Sequence, residues 1–402
     1  MSVTSVIMAL AGIVLVGAIL KPFSILVGIP RSGLLVLLGF VCSEIITGAG
    51  YDTGLRWYQF RDIVFYGIIP LLVFNTAFQL ELDVLRKNLA AVLVFALPIR
   101  VLSALLIAVC LFFGINHSSG FPFLVALLLG GILTATDPDN LIERLNLHEN
   151  NTRLCVILRA ESLLNDVVAI MFFSLLLTLI LMTGELPSLG AIVAQFLWIS
   201  IGGVIFGVLA AKISTWVLRF TNHEASKNTL LLANAYLVFI VADKFLAISG
   251  VAATLVFGLM ISRIKSEKLS VPLFATLAEI LSVLLFFIAG MTVTLALFSD
   301  RWRAILLAIF ATLSARFISA YIFSAAVYLS GNQVHRVSKH ERSILGASGT
   351  PGAVALALAL SLPVELPGWY TVQAAVYGVV VFSMFLQTPI WGARISRLES
   401  VK

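Results

Sequence analysis

Charged residues are scarce in this sequence. Asp, Glu, Lys and Arg make up 11% of its 402 residues, whereas hydrophobic residues make up 60% and the mean hydropathy is +1.07. A soluble domain typically carries about 25% charged residues, and a chain this apolar would expose large hydrophobic patches in water. The composition therefore argues against a soluble protein and indicates a bundle of membrane spans.

Cysteine is rare, and terminal targeting signals and clusters of basic residues are missing. Cys42, Cys110 and Cys155 lie in or beside apolar segments without metal-ligand spacing, which argues against a disulfide framework and indicates inert thiols. The N-terminus has no basic region or small-residue cleavage site, so Val3–Leu20 is interpreted as a retained first span. Although the net charge is +6, basic residues stand singly between apolar runs, so no nucleic-acid partner is predicted.

Apolar segments long enough to cross about 30 Å of hydrocarbon recur along the whole chain. They predict an all-α integral membrane protein with about thirteen transmembrane helices. The predicted spans are Val3–Leu20, Gly33–Ile46, Ile63–Phe78, Leu89–Phe113, Phe121–Leu147, Leu154–Met182, Ile192–Leu218, Thr229–Ala242, Leu246–Ile261, Pro272–Phe298, Trp302–Leu329, Ser343–Leu362 and Trp369–Ile390.

The connections between these spans differ in charge. If the N-terminus is outside, about seventeen Lys and Arg residues fall in cytoplasmic loops and the C-terminal tail, against five in outer loops. The five outer residues are Arg56, Arg61, Lys244, Arg301 and Arg303. Because basic residues concentrate on the cytoplasmic side, we predict a multi-pass protein of the cell membrane with its N-terminus outside and its C-terminus in the cytoplasm.

An odd number of spans permits an inverted internal repeat, as in many secondary transporters. We predict a first repeat over 1–182 (spans one to six), a linking seventh span over 183–228, and a second repeat over 229–402 (spans eight to thirteen and a short cytoplasmic tail). Helix-breaking tetrapeptides occur at Ala135–Pro138 in the fifth span and at Gly349–Gly352 in the twelfth. Interrupted spans at matching positions indicate a midplane site, where unwound backbone and helix ends face ions.

The sharpest group of ionisable residues lies in the sixth span, where Glu161 and Asn165 share a helix face and Asp166 lies one position further round. Two carboxylates and an amide in a low-dielectric site can coordinate a hard cation through oxygen. Burial and like-charge repulsion favour the protonated carboxyl when no ion is bound. Competition between ion and proton at one carboxylate is therefore predicted, although Glu161 could alternatively be a structural charge.

Two further features are open to a structural and a functional interpretation. Thr136-Asp137-Pro138 has the composition of an ordinary helix start, but its place inside a long span favours a site. Arg316, in the middle of the eleventh span, needs a counter-ion. Glu161 is the first choice, which would leave Asp166 as the titrating group; the alternative is an arginine bonded to helix carbonyls.

These residues resemble a known family. "ATDP" at Ala135–Pro138 followed by "RAESLLNDVVAI" at Arg159–Ile170 is similar to the paired signature of Na⁺/H⁺ exchangers in the first monovalent cation:proton antiporter family, in its prokaryotic, NhaP-like, electroneutral branch. Weaker matches follow the same order over nearly the whole chain. They are Phe74–Asn88, Ser249–Arg263, Leu285–Met291, Arg316 and Pro351–Pro363.

The resemblance implies a transporter rather than an enzyme. It implies a thirteen-span homodimer in membrane lipid that exchanges Na⁺ (or Li⁺) for H⁺ without a cofactor. Exchange would occur by elevator movement of an ion-carrying core against a scaffold. It implies that Asp166 binds the ion and the proton. Glu161, Ser162 and Thr136 would complete the Na⁺ site, with Asp137 nearby through water.

Other positions carry over from the family with changes. Asn165 before the aspartate marks the branch linked with one-for-one electroneutral exchange, because Asn cannot carry a second charge. Arg316 matches the family arginine beside the glutamate. In the second broken stretch, Thr350, Pro351 and Gly352, Pro351 stands where the family commonly has arginine. Loss of that cation makes the local field more negative and bears on ion preference and pH dependence.

Three other functions would each require different features of the sequence. K⁺/H⁺ exchange needs only a looser cavity with the same ligands and stays open. A passive channel needs a continuous polar pore, whereas the acids here cluster on two spans. An intramembrane hydrolase is disfavoured because the sequence contains neither His-Glu-x-x-His nor Gly-x-Gly-Asp.

Overall fold

The computed structural model describes residues 3–50, 62–80, 97–115, 121–136, 152–182, 187–221, 223–263, 271–329 and 350–391. Within these ranges the secondary structure is helical apart from one isolated bridge, and thirteen α-helices follow one another. The helices are α1 Val3–Val27, α2 Arg31–Gly48, α3 Ile69–Gln79, α4 Leu97–Gly114, α5 Phe123–Leu133, α6 Thr152–Leu181, α7 Leu189–Leu218, α8 Glu224–Ile240, α9 Gly250–Ser262, α10 Val271–Met291, α11 Leu295–Leu329, α12 Ala353–Leu360 and α13 Trp369–Phe382. The predicted all-α membrane fold is confirmed, while the inverted repeats and their boundaries stay predictions.

Seven of the described helical stretches are long and apolar enough to cross a membrane by themselves. They are Ile7–Ser24, Arg31–Gly48, Gly190–Leu218, Glu224–Phe245, Val271–Met291, Leu295–Ile322 and Trp369–Trp391. By contrast, α5 has 11 residues and α12 has 8. At 1.5 Å per residue these two helices reach only about half of a bilayer or less, so each ends inside the protein.

One predicted boundary is wrong. The sequence predicted a single span over Pro272–Phe298, but α10 ends at Met291 and α11 already begins at Leu295. The residues between the two helices are uncharged, so the hydropathy profile shows no break there. The hydroxyl of Thr292 donates a hydrogen bond to a carbonyl of α10. Arg301, assigned to an outer loop, lies inside α11, where its backbone (φ −123°, ψ 20°) kinks the helix.

Lys21 is a second difference, since it was assigned to a loop but lies in α1, which continues to Val27. Its Nζ lies 3.5 Å from Oε1 of Glu279 in α10, and Arg31 at the start of α2 makes a close ion pair with the same oxygen. These contacts connect the first two helices to α10 through charged side chains.

Three π-helical turns extend the regular helices at Ile63–Ile68 before α3, Val241–Phe245 after α8 and Ser383–Gln387 after α13. A π-turn inserts one residue into the helix and displaces its hydrogen bonds. In the first turn the carbonyl of Gly67 accepts a hydrogen bond from the Tyr236 hydroxyl of α8 at 2.8 Å. The turn thereby attaches α3 to α8.

The helices pack closely where small residues face a neighbouring backbone, as is common between membrane helices. A Cβ at Gly39 of α2 would lie 2.1 Å from the carbonyl oxygen of Phe287, and one at Gly290 of α10 would lie 2.1 Å from that of Val36. The buried core includes α5, α12 and most of α13, whereas α1 and α7 keep most of their apolar side chains exposed. The short helices are therefore central, and α1 and α7 are peripheral.

Candidate ion-binding site

The two stretches predicted to break the fifth and twelfth spans meet in the structure. Helix α5 ends at Leu133, and Thr136 beyond it forms an isolated antiparallel bridge with Pro351. Two residues after Pro351, α12 begins at Ala353. The crossing is buried, with Thr136 3% exposed, so two unwound segments lie side by side inside the protein.

Local sequence explains why helical structure stops here. Pro351 has no N–H to give to a helix, and Gly352 is extended (φ −114°, ψ −149°) directly before α12. At the other segment Thr134 caps α5, and its hydroxyl donates to the Gly131 carbonyl at 2.7 Å. The end of α5 presents carbonyl groups and the start of α12 presents N–H groups, so both kinds of helix end, with opposite partial charge, border the crossing.

Helix α6 is attached to this crossing by two side chains one turn apart. The Ser162 hydroxyl donates to the backbone carbonyl of Thr136 at 2.5 Å, and Asn165 Nδ2 donates to Thr136 Oγ1 at 3.4 Å. Positions separated by three residues share a helix face, so this face of α6 lies against the unwound segment. The structure thus brings together three of the predicted site residues.

Asp166 is half-buried on the same turn of α6, four residues after Ser162 and beside Asn165, which is 3% exposed. Thr350, from the second broken stretch, is also 3% exposed. A partly accessible carboxylate on the helix turn whose serine and asparagine contact a buried hydroxyl and carbonyl has the chemical character of a site for a hard cation.

Other predicted residues cannot be placed in this geometry. Asp137 and the side chain of Glu161 lie outside the described residues, so the predicted Glu161–Arg316 pair stays a prediction. Arg316 itself is buried in α11, 7% exposed, and its Nε has no hydrogen-bond partner within the described part of the chain. A buried cation inside a span needs an acceptor.

The sequence did not single out an acidic side chain at the end of α8. The Tyr66 hydroxyl donates to Asp243 Oδ2 at 2.8 Å, and Lys244 Nζ lies 4.7 Å from the centre of the Tyr66 ring. Asp243 lines a cavity of about 250 Å³ together with α6 and α7. An Asp-Lys pair between two apolar runs is typical of a loop. Only the π-turn shows that Asp243 and Lys244 continue the helix.

Comparison with known proteins places the chain in a family. The family model described as "Sodium/hydrogen exchanger, transmembrane" matches residues 7–393. The Na⁺/H⁺ antiporter ApNhaP of Aphanothece halophytica is 31% identical over 334 residues, which are 81% of this chain and 63% of ApNhaP. The Na⁺/H⁺ antiporter NhaH of Halobacillus dabanensis is 28% identical over 376 residues, 89% of each chain.

The fold is also that of a solved structure. The sodium proton antiporter MjNhaP1 of Methanocaldococcus jannaschii superposes with a TM-score of 0.78 at 21% identity, covering 96% of this chain and all of the other. This chain spans less than two thirds of the length of ApNhaP. On the match over residues 7–393, the chain belongs to the sodium/hydrogen exchanger family.

Proposed function

We propose that this protein is a secondary active antiporter that exchanges Na⁺ (or Li⁺) for H⁺ across the membrane. Family membership and relatives named Na⁺/H⁺ antiporters support the proposal. One structural observation adds to this support: Ser162 and Asn165 of α6 form hydrogen bonds to Thr136 in the unwound segment. This contact puts the turn that bears Asp166 at the crossing of the two interrupted spans.

The chemistry follows from the charges and lone pairs at the site. Ser162 donates its proton to the Thr136 carbonyl, so its oxygen keeps lone pairs for a cation. Together with Thr136, Glu161 and the Asp166 carboxylate, it could replace the hydration shell of Na⁺. A proton on Asp166 removes the charge that holds the ion, and a bound ion keeps the carboxyl ionised. Ion and proton therefore compete for one carboxylate.

Alternating access is proposed to follow from this competition. The crossing of the α5 and α12 segments, together with α6, would form an ion-carrying core that moves in elevator fashion against the remaining helices. The proton-loaded and ion-loaded forms of Asp166 both lack net charge there, which lowers the cost of crossing the bilayer. The protein is proposed to act as a homodimer in the cell membrane, with the N-terminus outside and the basic C-terminus in the cytoplasm.

Replacing Asp166 tests the proposal. In everted vesicles with a preset proton gradient, Na⁺ addition should dissipate the gradient with the parent protein, and Asp166→Asn should abolish the response because an amide neither ionises nor releases a proton. The matched control is Asp300→Asn, which removes an exposed acid at the start of α11. Normal exchange by Asp166→Asn would rule out the assigned site, and a response to K⁺ but not Na⁺ would favour K⁺/H⁺ exchange.

A further inference from the structure

A cavity of about 250 Å³ runs along α6 on the half of the helix that follows Asp166. Its α6 wall consists of Ile170, Met171, Ser174, Leu175 and Thr178. Ile170 is one helical turn, about 6 Å along the axis, beyond Asp166. The cavity therefore approaches the proposed ion site along the helix that carries it.

The opposite wall is built from α7 and the connection between α8 and α9. Gln195 and Ile199 of α7 line it, as do Asp243 and Ser249. The backbone N–H of Ser249 donates to the Ile199 carbonyl at 3.2 Å. A Cβ at Gly203 would lie 2.6 Å from the Ser249 carbonyl oxygen. Such close contact holds the connection firmly against α7.

Two unusual backbone features lie at or near Asp243 beside this cavity. Val241–Phe245 is a π-helical turn, which rotates the side chains after it relative to a regular helix. Ala247, which also lines the cavity, has φ +49° in the left-handed region, where a residue with a Cβ is strained. Strained backbone and π-turns concentrate at functional sites. The chain thus holds a costly conformation at the point where an acid faces the cavity.

Three polar side chains of the cavity, Asp243, Ser174 and Thr178, present acceptor oxygens beside the amide of Gln195. Asp243 accepts from Tyr66 through Oδ2, and the structure shows no partner for Oδ1 among the residues it describes. The hydroxyls of Ser174 and Thr178 donate to α6 carbonyls at 3.0 and 2.8 Å, so their oxygen atoms keep lone pairs that can accept. Lys244, the nearby cation, lies over the Tyr66 ring. A carboxylate and hydroxyl lone pairs in a confined space attract cations.

We propose that this cavity is the outer approach to the ion site and that Asp243 is a cation-recruiting residue within it, binding hydrated monovalent cations before they reach Asp166. The inference rests on the proposed antiport function. Ile170 and Met171, both buried, are the residues of the α6 wall that follow Asp166 most closely in the sequence. If membrane crossings are counted from α1, the cavity lies on the same side of the membrane as the N-terminus. This is the predicted outer side.

The test measures charge in the cavity directly and does not depend on transport. In a background with Cys42→Ala, Cys110→Ala and Cys155→Ala, Ser174→Cys is labelled in intact cells with membrane-impermeant cationic or anionic methanethiosulfonate reagents. The cationic reagent should react faster. Adding Asp243→Asn should lower the cationic-to-anionic rate ratio by about tenfold, since both rates respond to the lost charge in opposite directions. Thr178→Cys is a second reporter if Ser174→Cys does not fold.

Two variants distinguish cation recruitment by the Asp243 charge from a purely structural role of the Tyr66–Asp243 hydrogen bond. Tyr66→Phe breaks the hydrogen bond but keeps the Asp243 charge, so the rate ratio should remain that of the parent; Asp300→Asn removes an acid outside the cavity and should also leave it unchanged. Loss of the ratio in Tyr66→Phe, an unchanged ratio in Asp243→Asn, or absence of labelling from outside at both reporters overturns the proposal. Antiport by the parent protein is measured separately, so either proposal can fail alone.

Discussion

Thr136 gives the candidate site two oxygen atoms. Its backbone carbonyl accepts from Ser162, and its hydroxyl oxygen accepts from Asn165. The carbonyl is available because α5 has ended three residues earlier at Leu133. A single residue at the break therefore connects α6 to the crossing and presents oxygen to the proposed cation site.

The first prediction at the residue scale removes only the hydroxyl of Thr136. Thr136→Val keeps the volume but leaves Asn165 Nδ2 without its acceptor in a buried site, at a cost of about 1–3 kcal/mol. We expect the Na⁺ concentration for half-maximal exchange to rise roughly tenfold, measured as gradient dissipation in everted vesicles. Thr136→Ser keeps the oxygen and should stay near the parent value; equal exchange by both variants would contradict a role for the hydroxyl.

Spacing in the sequence was sufficient to group several of these residues. Spacing put Glu161 and Asn165 on one helix face with Asp166 one position further round, and the break at Ala135–Pro138 was predicted. Ser162 and Thr136 as ligands followed only from the family resemblance. Asp243 was not predicted, because it lies in a π-turn and four positions before a residue of left-handed backbone. Neither feature changes hydropathy or helical periodicity.

At the scale of helices, the crossing of α2 and α10 depends on two glycines. Gly39 and Gly290 face each other's backbones at distances that leave no room for a Cβ. The Ser43 hydroxyl, one turn further on, donates to the Met291 carbonyl at 3.0 Å. Close backbone approach supplies van der Waals contact where lipid removes the hydrophobic driving force.

Adding a side chain at this crossing should destabilise the fold. Gly39→Val would force α2 and α10 apart, because the clashing atom is a backbone oxygen that cannot rotate away. Overpacking of this kind costs about 1–3 kcal/mol or more, so we expect a lower Tm of the detergent-purified protein by scanning fluorimetry. Gly12→Val in α1 is the control, since nothing lies within 4 Å of its Cβ position. Equal Tm values for the two variants would contradict the crossing.

Hydropathy predicted which segments are helices better than where helices end. All thirteen predicted spans overlap a helix in the described structure, because runs of apolar residues must satisfy their backbone internally in a bilayer. The boundary between α10 and α11 was missed because residues 292–294, which separate the two helices, are uncharged. A helix end that depends on packing against neighbouring helices cannot be predicted from the sequence of a single segment.

For the whole molecule, the important quantity is the charge that crosses the membrane with each loaded state. Asn165 occupies the position next to Asp166 and remains neutral in both states. A Glu161 held ionised by Arg316 would contribute the same fixed charge in both states. One titrating carboxylate then carries either one proton or one monovalent cation, and exchange is predicted to be electroneutral at one for one.

Electroneutral exchange should not respond to membrane potential. In proteoliposomes, ²²Na⁺ uptake driven by a fixed pH gradient is compared with and without valinomycin under the same K⁺ gradient, so only the potential differs. Moving one net charge through 100 mV changes the driving force by about 2.3 kcal/mol, enough to alter uptake visibly if charge moved. We expect equal initial rates in both arms, after subtraction of leak into protein-free liposomes. A rate that rises with an inside-negative potential would mean that net positive charge enters with Na⁺, and that a second group near Asp166 changes its ionisation during the cycle.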